Sequence, residues 1–269
     1  MPGIAPQSQI SATPRTALPI SILPGTSKVH PAQRYLTGMQ IKMLYAILFI
    51  VVLALVFLPN LWVRRVMAKY QEPADLYPHD GAELARKLID DLGLDVGLEQ
   101  AQPDQDHYDP TSRTVRLSPN NYSGHSLTAL TVAAHEVGHA LQHAEGYRPL
   151  LLRTSLAKTA MVAEKFGAFA LAAMPVVAAL TRSPLSGVTM LIFGIGSIAI
   201  GTLVHLITLP VEWNASFERA LPMLKSGDYL PAQHLPHAKK ILSAAALTYV
   251  AGSLASLLSL YRWIAILRR

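Results

Sequence analysis

Residues 43–63 are apolar and uncharged over a length that crosses a bilayer, with Trp62, Arg64 and Arg65 at the end as interface anchors. Hydrocarbon offers the backbone no hydrogen-bond partner, so a run of this kind can only be a helix. Residues 185–209 and 241–267 have the same character, the last closed by Tyr261, Arg262, Trp263 and the terminal Arg268 and Arg269. Residues 156–180 are a weaker span, because Lys158, Glu164 and Lys165 interrupt them and the unbroken run 166–180 is short. With 51% hydrophobic and 15% charged residues in 269 and a mean hydropathy of +0.30, the chain is too apolar for an ordinary soluble domain. The expected architecture is mainly α, a multi-pass integral membrane protein with four transmembrane helices and the lipid bilayer as a partner.

The formal net charge of +6 is better explained by membrane flanks than by nucleic acid. Arginine pairs follow apolar runs, and no basic run is interleaved with aromatics. There are no cysteines, which excludes disulfides and thiolate metal sites. Residues 1–42 carry prolines, Ser, Thr and Gln with Arg15, Lys28, Arg34 and Lys42 and no acid. Such a composition cannot bury a core, so a disordered tail is expected.

Residues 64–155 are expected to form an extramembrane domain. Asp80 and Glu83 read as a capping box that starts a helix with Leu84, Leu88, Ile89 and Leu92 on one face and Gly93 as its stop. The alternation in Thr114, Val115, Arg116 and Leu117 after an Asp109-Pro110 turn predicts a small β hairpin. A hairpin placed just before the next segment could also offer an edge strand to an extended peptide.

That next segment contains His135-Glu136-Val137-Gly138-His139, an HExxH motif on a helix expected from about Ser126 to Glu145 and stopped by Gly146. Residues four apart share a helix face, their Cβ atoms roughly 5–6 Å apart, so His135 and His139 can both direct a ring nitrogen to one Zn2+. Glu136 then lies beside the metal, placed to take a proton from a water that the metal acidifies. The apolar flanks Leu127, Leu130, Val132, Ala133 and Ala134 put the motif on a buried helix, where an unpaired glutamate is costly and a metal explains it. His143 is eight residues from His135, roughly 12 Å along a helix, too far to share the ion. A lone His107 beside an acidic turn reads as a solvated or hydrogen-bonded residue.

Glu164 and Glu212 are the two candidates for a third ligand. Glu164 stands next to Lys165 and could be paired or at the interface. Glu212 follows Pro210, expected to end or kink the preceding helix, in an extramembrane segment 210–240, and is preferred. The choice has a topological consequence: the chain must cross the membrane an even number of times between the motif and Glu212, which residues 156–180 and 185–209 supply. Ten positive residues flank the spans on the catalytic side, from Arg64 and Arg65 to Lys239 and Lys240. Seven, including Arg182 and Arg262, flank the other, a lean toward a cytoplasmic active site.

Tyr108-Asp109-Pro110, the stretch Val115 to Pro119, Ala133-Ala134-His135-Glu136-Val137-Gly138-His139-Ala140, the stretch Thr208 to Ser216, and Ala244 to Ala251 together resemble the YugP-type neutral zinc metallopeptidases of bacterial membranes. The likeness runs from about Asp75 to Leu260. It implies a zinc-dependent peptidase of the bacterial cell membrane, with a zincin-like, gluzincin-type core, in which His135 and His139 match the motif histidines and Glu136 the motif glutamate. The block around Glu212 is similar to the ExxAD segment of membrane peptidases related to HtpX and the CAAX prenyl proteases, where the glutamate binds zinc. Ser216 stands where that pattern has its aspartate, a weaker orienting partner for a ligand histidine.

The expected function is zinc-dependent hydrolysis of protein or peptide substrates, membrane proteins being one option, with zinc on His135, His139 and Glu212 and with Glu136 as general base and then acid. Tyr147, His205 and Tyr249 are polar groups in the neighbourhood whose ordinary reading is interface anchoring or helix packing. Two alternatives are an intramembrane metalloprotease, which would need the motif in an apolar span, and a non-catalytic scaffold with a structural zinc, which would have no need of Glu136.

Overall fold

In the computed structural model of the chain, Gly3, residues 31–227 and residues 229–267 are described, the side chains of residues 31–39, 41, 56, 184 and 262–267 excepted. The expected tail therefore lies largely outside the described residues, as do Arg268 and Arg269. The chain divides into two units, Met1–Leu48 and Phe49–Arg269. In the first, the described residues 31–48 are the beginning of helix α1 (Pro31–Tyr70), which starts earlier than the apolar run alone suggests.

In the second unit, α1 continues with Phe49, Ile50, Leu55, Phe57 and Leu58 exposed, and is anchored only near its end. There Val66 is buried, Trp62, Val63 and Met67 pack on the core, and the Thr128 hydroxyl donates to the Met67 carbonyl at 2.9 Å. Helix α2 (Gly81–Asp91) follows with the capping box in place. The Glu83 N–H donates to Asp80 Oδ1 at 2.7 Å, and the Asp80 N–H donates to Glu83 Oε2 at 3.1 Å. Its Leu84, Ala85, Leu88 and Ile89 form the buried stripe, and Gly93 leaves the helix at a positive φ of 61°.

Three short strands come next, β1 (Gly97–Gln100), β2 (His107–Asp109) and β3 (Thr114–Leu117), in the order β1-β3-β2. The expected hairpin is β2 paired antiparallel to β3, with Tyr108 opposite Val115. Asp109 organises its turn by accepting from the Thr111 N–H and the Ser112 hydroxyl, both at 2.8 Å. Those bonds, the Ser112 hydroxyl foremost, hold its carboxyl well below the usual carboxylate range. Strand β1 adds in parallel to β3, and Arg116 ties the three strands by reaching Glu99 and Asp109. Val115 and Leu117 point into the core.

A single turn, α3 (Pro119–Tyr122), leads to α4 (Leu127–Ala144), the central helix, buried on nearly every side. Ser126 caps it by accepting from the Ala129 N–H, and Gly146, at φ 66°, ends it. Helices α5 (Arg148–Thr181) and α6 (Pro184–Trp213) form an antiparallel pair joined at Arg182 and Ser183. Gly167 and Gly194 let them close: a Cβ on Gly167 would meet the Ser197 hydroxyl at 2.0 Å, and one on Gly194 would meet Leu171 at 2.3 Å.

The helices run beyond the expected spans. Helix α5 begins at Arg148, a turn and more before the expected span, and α6 does not end at Pro210. It runs through the proline to Trp213 and widens into a π-helix, Asn214–Ala220, before α7 (Leu221–Ser226). A proline inside a helix removes one N–H, and one missing bond does not end a helix that is packed on both sides. After a 3-10 turn at Ala232–His234, α8 (Leu235–Leu267) packs against α6. Among the described residues, four helical stretches, Lys42–Tyr70, Arg148–Thr181, Leu185–Ser226 and Ala232–Tyr261, are long and apolar enough to cross a membrane. The motif helix α4 is not among them.

Candidate metal centre

Along α4, Ala133, Ala134, Val137 and Ala140 are buried in the core, which turns His135, Glu136 and His139 to one side of the helix. The neighbour on that side is the π-helix Asn214–Ala220, with Glu212 at the end of α6 just before it. Gly138 sets how closely the two approach, because a Cβ there would lie 2.9 Å from the Ala215 carbonyl oxygen. Gly138→Ala is expected to overpack this contact at a cost of about 1–3 kcal/mol, more than the ~1 kcal/mol alanine gains in helix propensity. A thermal-shift measurement in detergent should show a lower Tm. An unchanged or higher Tm would show that the close approach is not required.

His135, His139 and Glu212 come together, with one potential ligand atom from each all within 4.8 Å of one another. Glu212 Oε2 is 3.3 Å from His135 Nε2 and 3.5 Å from His139 Nε2. Donors about 2.0–2.1 Å from one tetrahedral ion would be roughly 3.3 Å apart, which these spacings approach. Glu212 is 2% exposed, and its Oε2 has no hydrogen-bond partner, an orphaned buried carboxylate oxygen that a cation would satisfy. Two imidazoles and a carboxylate are a donor set suited to zinc, so the residues fit that ion.

The surroundings fix how these groups present themselves. His139 Nδ1 lies 2.9 Å from Gln142 Oε1, while Gln142 Nε2 donates to the Val211 carbonyl and to Asn214 Oδ1, each at 2.8 Å. With its amide nitrogen committed, Gln142 can only accept from His139, so the proton is on Nδ1 and the lone pair on Nε2. Ser216 Oγ is 3.2 Å from His135 Nδ1, so the serine that replaces the aspartate of the similar segment still reaches a ligand histidine. Glu212 Oε1 accepts from Arg153 Nη1 at 3.0 Å, which leaves Oε2 facing the histidines.

Glu136 is 7% exposed and lines two cavities. One, about 410 Å3, also touches Arg64, Met67, Ile241 and Tyr249. The other, about 280 Å3, touches Tyr108, Pro110, Arg153 and Tyr249. Burial pushes the Glu136 carboxyl up to about 7, against the pull of His135 and with help from Glu212 and Asp106. A carboxyl in that range can both accept and return a proton near neutral pH.

The other sequence candidates fall elsewhere. His143 Nδ1 is 2.8 Å from the Tyr108 hydroxyl, and His107 Nδ1 is 2.9 Å from the Gln105 carbonyl. Tyr147 directs its hydroxyl to the Pro210 carbonyl. Glu164 and His205 line a separate cavity between α5, α6 and α8, so Glu164 is not brought to the histidines. Of the three polar neighbours, only Tyr249 borders the Glu136 cavities. Gln142 and Arg153 were not anticipated; Gln142, three residues after His139, could have been found from the i,i+3 rule.

The family described as "Putative neutral zinc metallopeptidase" matches residues 45–268. A relative from Bacillus subtilis (strain 168), "Putative membrane protease YugP", is 39% identical over 226 residues, which are 83% of this chain and 96% of that protein. No solved structure matches the chain.

Proposed function

The chain belongs to the neutral zinc metallopeptidase family, and from that premise we propose that it is a membrane-spanning peptidase that hydrolyses peptide bonds at the bilayer surface. The observation that carries this reading is the convergence of His135, His139 and Glu212 on one point, with the Glu136 carboxylate in the adjoining cavities. His135 Nε2, His139 Nε2 and Glu212 Oε2 would hold the zinc, a gluzincin-type set. Bound zinc would supply Lewis acidity, making a water acidic enough to attack at neutral pH and polarising the scissile carbonyl.

The chain's own residues do the rest. Glu136 takes the proton of the attacking water and passes it to the leaving amine. Gln142 holds His139 in the tautomer that keeps Nε2 free, Ser216 orients the His135 ring from its Nδ1 side, and Arg153 holds Glu212 by its other oxygen. Strand β2 is one of the two edge strands of its sheet, and its His107 and Tyr108 line the second cavity. Its free edge suits a substrate backbone added as a further strand.

The position of the motif supports cleavage beside the bilayer rather than within it, because α4 packs with α2 and the sheet and is not an apolar span. A cytoplasmic active site is supported by the lean of flanking positive charge, ten residues against seven. Purified protein in detergent should cleave an unfolded protein substrate, lose that activity on chelation and regain it on adding zinc. Cleavage that persists in chelator, with no metal bound, would refute the reading.

A further inference from the structure

The cavity of about 300 Å3 that holds Glu164 lies over α6, between α5 and α8. Its walls are Glu164 and Ala168 from α5, Gly201 and His205 from α6, and Ser256 and Ser259 from α8. Glu164 sits against α6, since a Cβ on Gly201 would lie 2.7 Å from Glu164 Oε1. Both Glu164 and His205 are exposed, and among the described residues neither side chain has a hydrogen bond or ion pair. The nearby hydroxyls are already engaged, Ser253 with the His205 carbonyl and Ser256 with Thr202.

Depth makes this arrangement unusual. Arg153 and Glu212 meet at the metal-binding site, and Glu164 is eleven residues beyond Arg153, just as Gly201 is eleven before Glu212. Eleven residues are about 16 Å of helix. With the reaction site at the bilayer surface, Glu164 is near the middle of a hydrocarbon core about 30 Å thick. A carboxylate without a partner at that depth, with an unpartnered imidazole at His205 about 10 Å in, is costly, and such groups mark binding pathways. The groove lies on the same helices as the reaction site: Ala157, two turns above Glu164 on α5, and Tyr249, two turns above Ser256 on α8, line the cavity that holds Glu136.

Resting on the membrane-peptidase reading, we propose that this groove receives a transmembrane helix of the protein to be cleaved. The guest would carry a hydrogen-bond donor, an amide or a cationic side chain, about three turns from the end that enters the site, and the donor would meet Glu164. Ala168, exposed, and Ser256, half-buried, are small enough to let a helix backbone come close. A lipid headgroup would not reach this depth, and a soluble peptide would not need it. The proposal makes substrates of membrane proteins whose spans carry an exposed polar residue and whose flanking segment is extended enough to reach Glu136.

The test uses the Glu136→Gln protein in lipid nanodiscs, with a photo-crosslinking residue at position 168 and single-span reporters bearing Asn or Leu at mid-span. The Asn reporter is expected to be captured about fivefold more than the Leu reporter. The preference should survive in Glu164→Gln, which keeps an acceptor, and vanish in Glu164→Leu. Equal capture of the two reporters, a preference that persists in Glu164→Leu, or crosslinks only to a second copy of the chain would overturn the proposal. Capture is read without turnover. Selective capture with no cleavage by the wild type would count against the peptidase reading alone, and cleavage with unselective capture against this inference alone.

Discussion

Glu136→Gln protein should bind zinc as the wild type does and hydrolyse peptides slower by about 10^2–10^4-fold, the range that a general acid–base residue contributes. The substitution is close to isosteric, and Glu136 is not one of the atoms that converge on the metal position. What changes is the capacity to accept a proton, which the amide lacks. Burial makes the loss hard to replace: the side chain is 7% exposed, so no bulk buffer reaches the same place. The check is kcat on a defined peptide together with metal content on the same preparation. Retained activity with Gln at position 136 would assign the base elsewhere. Lost activity with lost metal would make the effect structural.

Glu212→Ala should abolish both metal binding and turnover. Removing an outer-shell partner of a metal ligand typically costs about 10–100-fold in affinity, so deleting a ligand costs more. A second effect adds to it. Arg153 donates to Glu212 at 3.0 Å and is only partly exposed, and without the carboxylate its charge is left facing a polar pocket with no counterion. His135 and His139 would remain on α4 at the same spacing, since their Nδ1 contacts run to Ser216 and Gln142 rather than to Glu212. Titration with zinc should therefore show binding weakened beyond the outer-shell range, with helix content by circular dichroism unchanged. Tight binding in Glu212→Ala would mean that two histidines and some other donor suffice.

Much of the local structure was legible because local rules govern it. The HExxH spacing puts two rings on one face whatever surrounds the helix, the capping box at Asp80 and Glu83 forms from neighbours three residues apart, and the Asp109 turn closes on its own side chain. Features set by distant parts of the chain were not legible. Strand β1 joins β3 in parallel, a pairing across an intervening strand that alternation cannot reveal. The Arg153 contact exists because α5 and α6 close on each other through Gly167 and Gly194, a tertiary fact. Pro210 suggested a helix end or a kink, and α6 runs past it, while the π-helix of Asn214–Ala220 contains no glycine or proline to announce the change. That π-helix carries Ser216 and Asn214, so the least legible element positions the outer shell of the site. The sequence preferred Glu212 to Glu164, and the structure places them apart: one faces the histidines, and the other lies three turns away along the helices in a groove of its own.

The most direct test is the zinc content, by mass spectrometry, of wild type, Glu212→Ala and Glu164→Ala proteins purified in the same detergent. The account predicts about one zinc per chain for wild type and Glu164→Ala and almost none for Glu212→Ala. Zinc lost from Glu164→Ala but kept by Glu212→Ala would contradict it, since the ligands would then meet inside the membrane groove rather than beneath α4.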